Sequence, residues 1–193
     1  MNETVKLGLI LFLITAVAAA VLGVSNSVTS EKIAEVDRIA NEVAKQEILE
    51  DAESFTKLDE NQLKEIVGSN NDVLEINEGY DENSSLVGYT FKVISKGYGG
   101  DIEFMTGIST EGHITGIKVL NHGETPGLGA NSTESYFTDS FKGKTVDSNI
   151  TAVKDPQADN EVQALTSATI TTNAIVDGVN MVREIFNSKL ANQ

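Results

Sequence analysis

The chain has 193 residues and a formal net charge of −15 at pH 7. Such an acidic chain is unsuited to binding nucleic acid, whose phosphates require lysine and arginine. Cysteine is absent, which excludes disulfides, thiolate nucleophiles and cysteine-ligated iron–sulfur clusters. The two histidines, His113 and His122, have no metal-ligand spacing and are predicted to be surface or turn residues. Redox or metal chemistry would therefore have to come from a bound cofactor.

The first predicted element is an uncharged apolar segment, residues 7–24. About 18 such residues are close to the minimum that spans a bilayer as a helix. We therefore predict a membrane anchor in residues 1–27, with a transmembrane helix over residues 5–25. A cleaved signal peptide is the alternative, because an alanine run at residues 18–20 suits a signal peptidase.

The basic residues around this segment predict its orientation. Lys6 precedes the segment, and the next basic residue is Lys32. The positive-inside rule then places the N-terminus in the cytoplasm and residues 28–193 on the extracytoplasmic side of the cell membrane. The chain is thus predicted to be a single-pass membrane protein.

Two helices are predicted between the anchor and the first strand. Residues 25–30 are predicted to be a polar exit from the membrane, and Ser30 to cap a helix with apolar residues at 33, 36, 40 and 43. A short helix is predicted over residues 59–67, because Asp59 and Gln62 have the spacing of a capping box and Gly68 follows as a stop.

From residue 73 the apolar period changes to two. Four segments rich in Val, Ile, Phe and Tyr are bounded by Gly, Asn or Ser, which predicts an antiparallel meander over residues 73–76, 86–94, 102–108 and 113–120. A surface helix is predicted over residues 132–142. The last helix is predicted over residues 172–190, with an apolar stripe formed by Ile175, Val179, Val182 and Phe186. The predicted fold class is α+β: one N-terminal transmembrane helix, then an antiparallel sheet flanked by helices.

Two glycine-rich loops allow two interpretations. GYGG, residues 97–100, lacks the last glycine of the dinucleotide-binding fingerprint, and GETPGLGA, residues 123–130, lacks the Gly-Lys-Ser/Thr of a P-loop. Both are explained as turns between strands. The second loop is nevertheless longer than a hairpin requires and has Leu128 between two glycines, so it would also suit contact between bare backbone and a flat ligand.

A row of hydroxyl side chains precedes the last predicted helix. Five lie within residues 166–172, namely Thr166, Ser167, Thr169, Thr171 and Thr172, although a helix start needs one capping side chain. Free N–H groups at the start of the helix, together with its positive end, would hold a phosphate without basic side chains, and one hydroxyl would be available for esterification. A threonine-rich cap is the alternative, and the spacing does not decide between the two.

Three motifs resemble a known family. TSATIT, residues 166–171, resembles the Ser/Thr-Gly-Ala-Thr-x-Thr motif of the FMN-binding domain in ion-pumping respiratory complexes. HGETPGLG, residues 122–129, resembles the family's His-x-Glu-Thr-Pro-Gly-Leu-Gly signature, and GYGG lies where the family also has it. The resemblance covers nearly the whole chain and is greatest to the G subunits of Rnf complexes.

The resemblance implies covalently bound FMN. In the family, a flavin transferase joins FMN through its phosphate to the last threonine of the motif, which is Thr171 here. By analogy, Thr125, Gly127, Leu128 and Gly129 would lie against the isoalloxazine, and residues 166–169 would surround the phosphate. The implied binding residues are Gly99, Gly100, Glu124, Thr125, Gly127, Leu128, Gly129, Thr166, Ser167, Ala168, Thr169 and Thr171, with no catalytic residue and no metal. Ser167 stands where the family usually has glycine, so we expect crowding or backbone stress there.

The implied function is electron transfer within a membrane complex. The chain would be an electron-carrier subunit of an Rnf-type complex that couples electron flow between ferredoxin and NAD to translocation of Na⁺ or H⁺, without a complete active site of its own. Its implied partners are the other membrane subunits and the flavin transferase. The alternatives are the C subunit of the sodium-translocating NADH:quinone reductase, which is typically longer, a membrane-tethered binding protein without flavin, and a free-standing extracytoplasmic reductase.

Overall fold

The chain begins with one long helix, α1, which spans Glu3–Ile48. The computed structural model describes residues 2–191. Internal contacts divide the chain into a unit that ends at Asn41 and a unit that begins at Glu42. In the first unit, an 18-residue window of α1 has a mean hydropathy of 2.7 and is fully exposed. By length and composition, α1 is therefore able to cross a membrane.

The predicted helix break at residues 25–30 is wrong, because α1 continues through this segment. The hydroxyls of Ser27 and Ser30 donate to carbonyls three residues earlier, and that of Thr29 donates to the Ser25 carbonyl at 2.9 Å. Hydroxyl side chains are thus satisfied inside the helix as well as at a cap. No glycine or proline between residues 24 and 48 interrupts the helix.

The second unit is built on a five-stranded antiparallel sheet. Its strands are β1 (Ser54–Lys57), β2 (Val73–Tyr80), β3 (Leu86–Lys96), β4 (Asp101–Ser109) and β5 (Ile114–Asn121), in the spatial order β1-β2-β3-β4-β5. The predicted meander is confirmed, and β1 extends it at one edge. The predicted short helix is also confirmed as α2 (Glu60–Val67), in which Asp59 and Gln62 form the expected capping box.

The segment predicted as a surface helix over residues 132–142 is instead a broken helix that is partly buried. It consists of α3 (Ser135–Thr138) flanked by 3-10 turns at Gly129–Thr133 and Asp139–Phe141. Phe137 and Phe141 are fully buried and their rings contact edge to face, with centroids 5.3 Å apart. The two rings hold one side of the segment against the core, while its other side, which includes Tyr136, is exposed.

The last helix, α4 (Thr169–Ile185), packs on β3 and β4. The predicted apolar stripe is confirmed, since Ile175, Val179, Val182 and Phe186 are all buried in the main core. Gly178 permits close packing, because a Cβ there would lie 2.7 Å from the Phe104 ring. The helix begins three residues earlier than predicted and passes into a π-helical turn at Phe186–Leu190. A short parallel pair, β6 (Thr151–Val153) and β7 (Glu161–Gln163), was not predicted.

The opposite face of the sheet is lined by glycines and contacts the last residue of α1 and the residue that follows it. A Cβ at Gly107 would lie 2.5 Å from Ile48 Cγ2, and one at Gly79 would lie 2.4 Å from Leu49 Cδ2. These glycines pair across the strands with two others, Gly88 and Gly116. The start of the second unit therefore packs directly on the sheet backbone.

An ion-pair cluster fixes this contact. Lys45 is buried, and its Nζ lies 2.8 Å from Glu42 Oε1 and 3.7 Å from Glu75 Oε1. Glu75 also pairs with Lys57. Burial raises the pKa of Glu75, but the hydrogen bonds from Lys57 and Asn77 and the charges of Lys57 and Lys45 outweigh burial, so the pKa is lowered.

Candidate functional site

Three loops meet at one end of the sheet. The β3–β4 turn contains residues 97–100 and is closed by a 2.8 Å hydrogen bond from the Gly97 N–H to the Gly100 carbonyl. Because Glu103 pairs with Asn121, the loop that follows β5 lies beside this turn. The start of α4 completes a cleft of about 570 Å³, within the range of about 300–1,000 Å³ that is typical of small-molecule sites. Its lining residues are Tyr98, Glu124, Thr125, Leu128, Gly129, Ser167, Ala168, Thr169, Ile170 and Thr171.

A buried carboxylate–hydroxyl pair lies in the wall of this cleft. The Thr171 hydroxyl donates to Glu124 Oε2 at 2.6 Å, and the Gly99 N–H donates to Glu124 Oε1 at 2.9 Å. Burial opposes ionisation of Glu124, but the hydrogen bonds from Thr171 and from the Gly99 and Tyr98 backbones outweigh this effect and lower its pKa. Glu124 is therefore an ionised proton acceptor at neutral pH.

Glycines from both glycine-rich loops surround this carboxylate. A Cβ at Gly97 would lie 2.3 Å from Glu124 Oε1, and one at Gly129 would lie 2.2 Å from Oε2 and 2.5 Å from Thr171 Oγ1. A Cβ at Gly99 would lie 2.0 Å from the Gly123 carbonyl oxygen. Turn geometry alone therefore does not explain why both loops are rich in glycine. Side chains at these positions would overlap the space that the Glu124–Thr171 pair occupies.

The first turn of α4 has no side-chain cap. Its N-cap residue is Ala168, and within the described chain no hydroxyl accepts a hydrogen bond from the first-turn N–H groups. The threonine-rich cap is thus wrong: Thr171 donates to Glu124, while Thr172 donates to the Ala168 carbonyl at 2.9 Å and accepts from the Leu165 N–H at 3.1 Å. The free N–H groups and the positive end of the helix fit a phosphate group.

Backbone stress is present at the residue where it was expected. Ser167 has φ = 60°, the left-handed region that glycine adopts without steric cost. Ser84 is the other non-glycine residue with positive φ in the described chain, and it lies in the turn between β2 and β3. The strained residue at the cleft is thus the one that stands in place of the family's glycine.

The structure brings most of the predicted binding residues together. Eight line the cleft, namely Glu124, Thr125, Leu128, Gly129, Ser167, Ala168, Thr169 and Thr171. Gly99 contacts the cleft through its hydrogen bond to Glu124. Gly100 and Gly127 have positive φ and shape the loops, while Thr166 is exposed beside the cleft, outside its lining.

Sequence reasoning missed two apolar residues at the rim. Tyr98 and Ile170 line the cleft and are 71% and 53% exposed, and Leu128 beside them is 41% exposed. The sequence interpretation considered the glycines and hydroxyl residues of the motifs and passed over the large side chains between them. Their signal was available, because a large side chain inside each motif has no turn or capping role. Together the three form an apolar rim suited to a flat ring.

Comparison with known proteins identifies the domain that contains this cleft. The family model described as FMN-binding domain matches residues 97–184, from the GYGG turn through most of α4. The fold is similar to that of Shewanella oneidensis NqrC, with a TM-score of 0.59 at 16% identity over 77% of this chain and 94% of that chain. It is also similar to the C subunit of the Na⁺-translocating NADH-quinone reductase from Parabacteroides distasonis, with a TM-score of 0.53 at 18% identity over 72% and 79%.

Relatives with higher sequence identity match nearly the whole chain. The G subunit of the Na⁺-translocating ferredoxin:NAD⁺ oxidoreductase complex of Acetobacterium woodii is 39% identical over 95% of this chain and 91% of its own length. The G subunit of the proton-translocating ferredoxin:NAD⁺ oxidoreductase complex of Clostridium ljungdahlii is 31% identical over 91% and 85%, respectively. The resemblance carried by the three motifs is confirmed.

Proposed function

The chain belongs to the family of G subunits of ion-translocating ferredoxin:NAD⁺ oxidoreductase complexes, and we propose that it carries FMN esterified through its phosphate to Thr171. Membership of the family makes the chain a subunit of a multisubunit redox complex with FMN as its cofactor. The covalent bond, the residue that forms it and the arrangement of the chain in the membrane belong to the proposal.

The observation that carries the proposal is the uncapped start of α4 beside the Thr171 hydroxyl. Thr171 lines the cleft, and the N–H groups of the first helical turn have no acceptor within the helix. A phosphate esterified to Thr171 would supply that acceptor and would benefit from the positive end of the helix. The chain thereby binds an anion although no lysine or arginine is among the described lining residues.

The apolar rim would hold the ring system of the cofactor. Leu128 and Ile170 present apolar surface and Tyr98 presents an aromatic ring, all at the mouth of the cleft. Thr125 and the Gly129 backbone lie beside them. When bound, FMN supplies the electron-transfer chemistry, and the residues of the chain bind it, orient it and tune its surroundings.

The long helix explains why a covalent bond would be useful. We propose that residues 1–27 anchor the chain, since α1 is long and apolar enough to cross a membrane, and that residues 28–193 lie on the extracytoplasmic side. Cofactor lost on that side would not be replaced from the cytoplasm. Attachment would require a flavin transferase, and the other subunits of the complex would donate and accept the electrons.

Intact-mass measurement of the protein purified from its native membrane tests the attachment. We expect a mass excess equal to one FMN less one water. The excess should be lost in a Thr171→Ala variant and kept in a Ser148→Ala variant, which removes an exposed hydroxyl outside the lining of the cleft. Native protein without the excess, or a Thr171→Ala variant that keeps it, would contradict the proposal.

A further inference from the structure

We propose that Glu124 accepts the proton of the Thr171 hydroxyl when flavin is attached to this chain. The proposal rests on the proposed function, because it assigns a residue to the attachment step at Thr171. Glu124 touches the reacting atom directly, since its Oε2 lies 2.6 Å from Thr171 Oγ1. This distance is within the reach of about 2.6–3.2 Å that a general base requires.

The Glu124–Thr171 pair is almost completely buried, although it lies in the wall of the cleft. Glu124 is 6% exposed and Thr171 is 1% exposed, yet both line the cleft. A threonine hydroxyl is a weak nucleophile at its own pKa and needs an adjacent base. The Gly99 N–H, which donates to the other carboxylate oxygen, holds Glu124 with Oε2 directed at the hydroxyl.

Glu124 is the base that the chain itself provides in this cleft. Among the described lining residues it is the one carboxylate, and no histidine or lysine is present with it. The loops are also shaped around the pair, because a side chain at Gly129 would overlap both the carboxylate and the hydroxyl. A capping role for Thr171 does not compete, since its hydroxyl is committed to Glu124.

The step conserves atoms and charge. Thr171 Oγ1 bonds to the flavin phosphorus of a donor in which FMN is joined to a second nucleotide through a diphosphate, as in FAD. The diphosphate bond breaks, AMP leaves with the bonding electrons, and the hydroxyl proton passes to Glu124 Oε2. Nothing is oxidised or reduced. Since the esterified oxygen has no proton to donate, the Glu124–Thr171 hydrogen bond belongs to the unloaded chain.

The test uses the unloaded full-length chain in detergent, incubated with a purified flavin transferase and FAD. Glu124→Gln keeps the size of the side chain but removes the proton acceptor, and Glu111→Gln makes the same change at an exposed turn. Initial rates of mass gain are measured by intact-mass spectrometry over a range of chain concentrations. We expect kcat to fall about 100-fold or more for Glu124→Gln, with KM for the chain unchanged, and to stay at the native value for Glu111→Gln.

Three outcomes would overturn the proposal. A native kcat and KM in Glu124→Gln would show that attachment needs no carboxylate at this position. A raised KM with native kcat would show that Glu124 contributes to binding of the transferase and not to the chemical step. Glu124→Asp keeps a carboxylate, so its kcat should exceed that of Glu124→Gln; an equal loss in both would assign the effect to packing. Thr171→Ala run in parallel separates the two claims, because a mass gain in that variant would contradict the attachment site itself, whatever Glu124 does.

Discussion

At the scale of single residues, Ser167 shows a conflict between local conformation and residue type. Its φ of 60° lies in the left-handed region, and the residue is exposed at the cleft. Strain of this kind costs on the order of 1 kcal/mol and persists where the surrounding structure imposes it. The turn that leads into α4 imposes it here, because the next residue, Ala168, is already the N-cap of the helix.

Relief of this strain should stabilise the protein. We expect Ser167→Gly to raise the free energy of unfolding by about 1 kcal/mol, since glycine adopts positive φ without a Cβ penalty. Ser148→Gly is the matched control: this exposed loop serine does not have positive φ, so the change should give no gain. Chemical denaturation of the full chain in detergent measures both. Equal effects of the two substitutions would contradict strain at Ser167.

Glu124 should make the stability of the unloaded protein depend on acid pH. Burial raises its pKa, but the hydrogen bonds from Thr171 and from the Gly99 and Tyr98 backbones outweigh burial, so the folded pKa lies below the ordinary 4.5. A lowered pKa contributes stability that is fully present above the unfolded pKa and is lost as pH falls through the folded pKa.

The measurement is the melting temperature of the unloaded native protein and of Glu124→Gln between pH 7 and pH 3. We expect the native protein to be the more stable of the two at pH 7, and the difference to shrink below about pH 4.5, where the native carboxylate begins to take up a proton. A difference that is constant over this range, or that grows towards acid pH, would show that the pKa of Glu124 is not lowered.

At the scale of elements, the glycines on the second face of the sheet set how closely the end of α1 approaches. Gly107 and Gly116 are paired in register on β4 and β5 but differ in their surroundings. A Cβ at Gly107 would lie 2.3 Å from Thr115 Oγ1 and 2.5 Å from Ile48 Cγ2, whereas one at Gly116 would have its nearest neighbour at 3.6 Å.

This difference predicts that a Gly→Ala substitution has a large effect on stability at residue 107 and a small effect at residue 116. Gly107→Ala should cost about 1–3 kcal/mol, because a methyl group has to displace both the Thr115 hydroxyl and the Ile48 side chain. Gly116→Ala should change stability by no more than about 0.5 kcal/mol, since its methyl group meets ordinary van der Waals contacts. Denaturation midpoints of the two variants provide the comparison. Similar costs would contradict the close packing of Thr115 and Ile48 around Gly107.

The elements also show where sequence reasoning succeeds. The four longest strands, β2 to β5, have eight residues or more and are rich in apolar residues, so their pattern identifies them, although β2 continues four residues beyond the predicted segment. By contrast, β1, β6 and β7 have four, three and three residues, too few to display a period. At Ser30 the sequence was ambiguous, because a serine hydroxyl caps a helix or bonds back within one, and the second occurs.

Only part of the candidate site could be predicted from the sequence. The motifs identified most of the cleft-lining residues, but the Glu124–Thr171 bond joins residues 47 positions apart and has no local signal. The start of α4 was misplaced for a related reason: alanine is a poor N-cap, so rules of helix capping pass over Ala168. Residues that are unfavourable for the local backbone structure, such as an alanine N-cap, are expected at functional sites, where ligand binding takes precedence over the stability of the local structure.

At the scale of the whole molecule, the proposed orientation is open to a clean test, because the chain contains no cysteine. We expect Ser148→Cys, exposed in the second unit, to react with a membrane-impermeant maleimide in intact cells. Glu3→Cys, at the start of α1, should react only after the membrane is disrupted. Both variants are labelled after disruption as a control for reactivity. The reverse pattern in intact cells would place the second unit in the cytoplasm.

Covalent FMN at Thr171 is tested most directly by locating the flavin within a peptide. Trypsin cleaves after Lys154 and Arg183, which releases residues 155–183 with Thr166, Ser167, Thr169, Thr171 and Thr172 together. Fragmentation of this peptide from natively purified protein should place the FMN phosphate on Thr171 alone. An unmodified peptide, or FMN on any other of these hydroxyls, would contradict the proposed attachment.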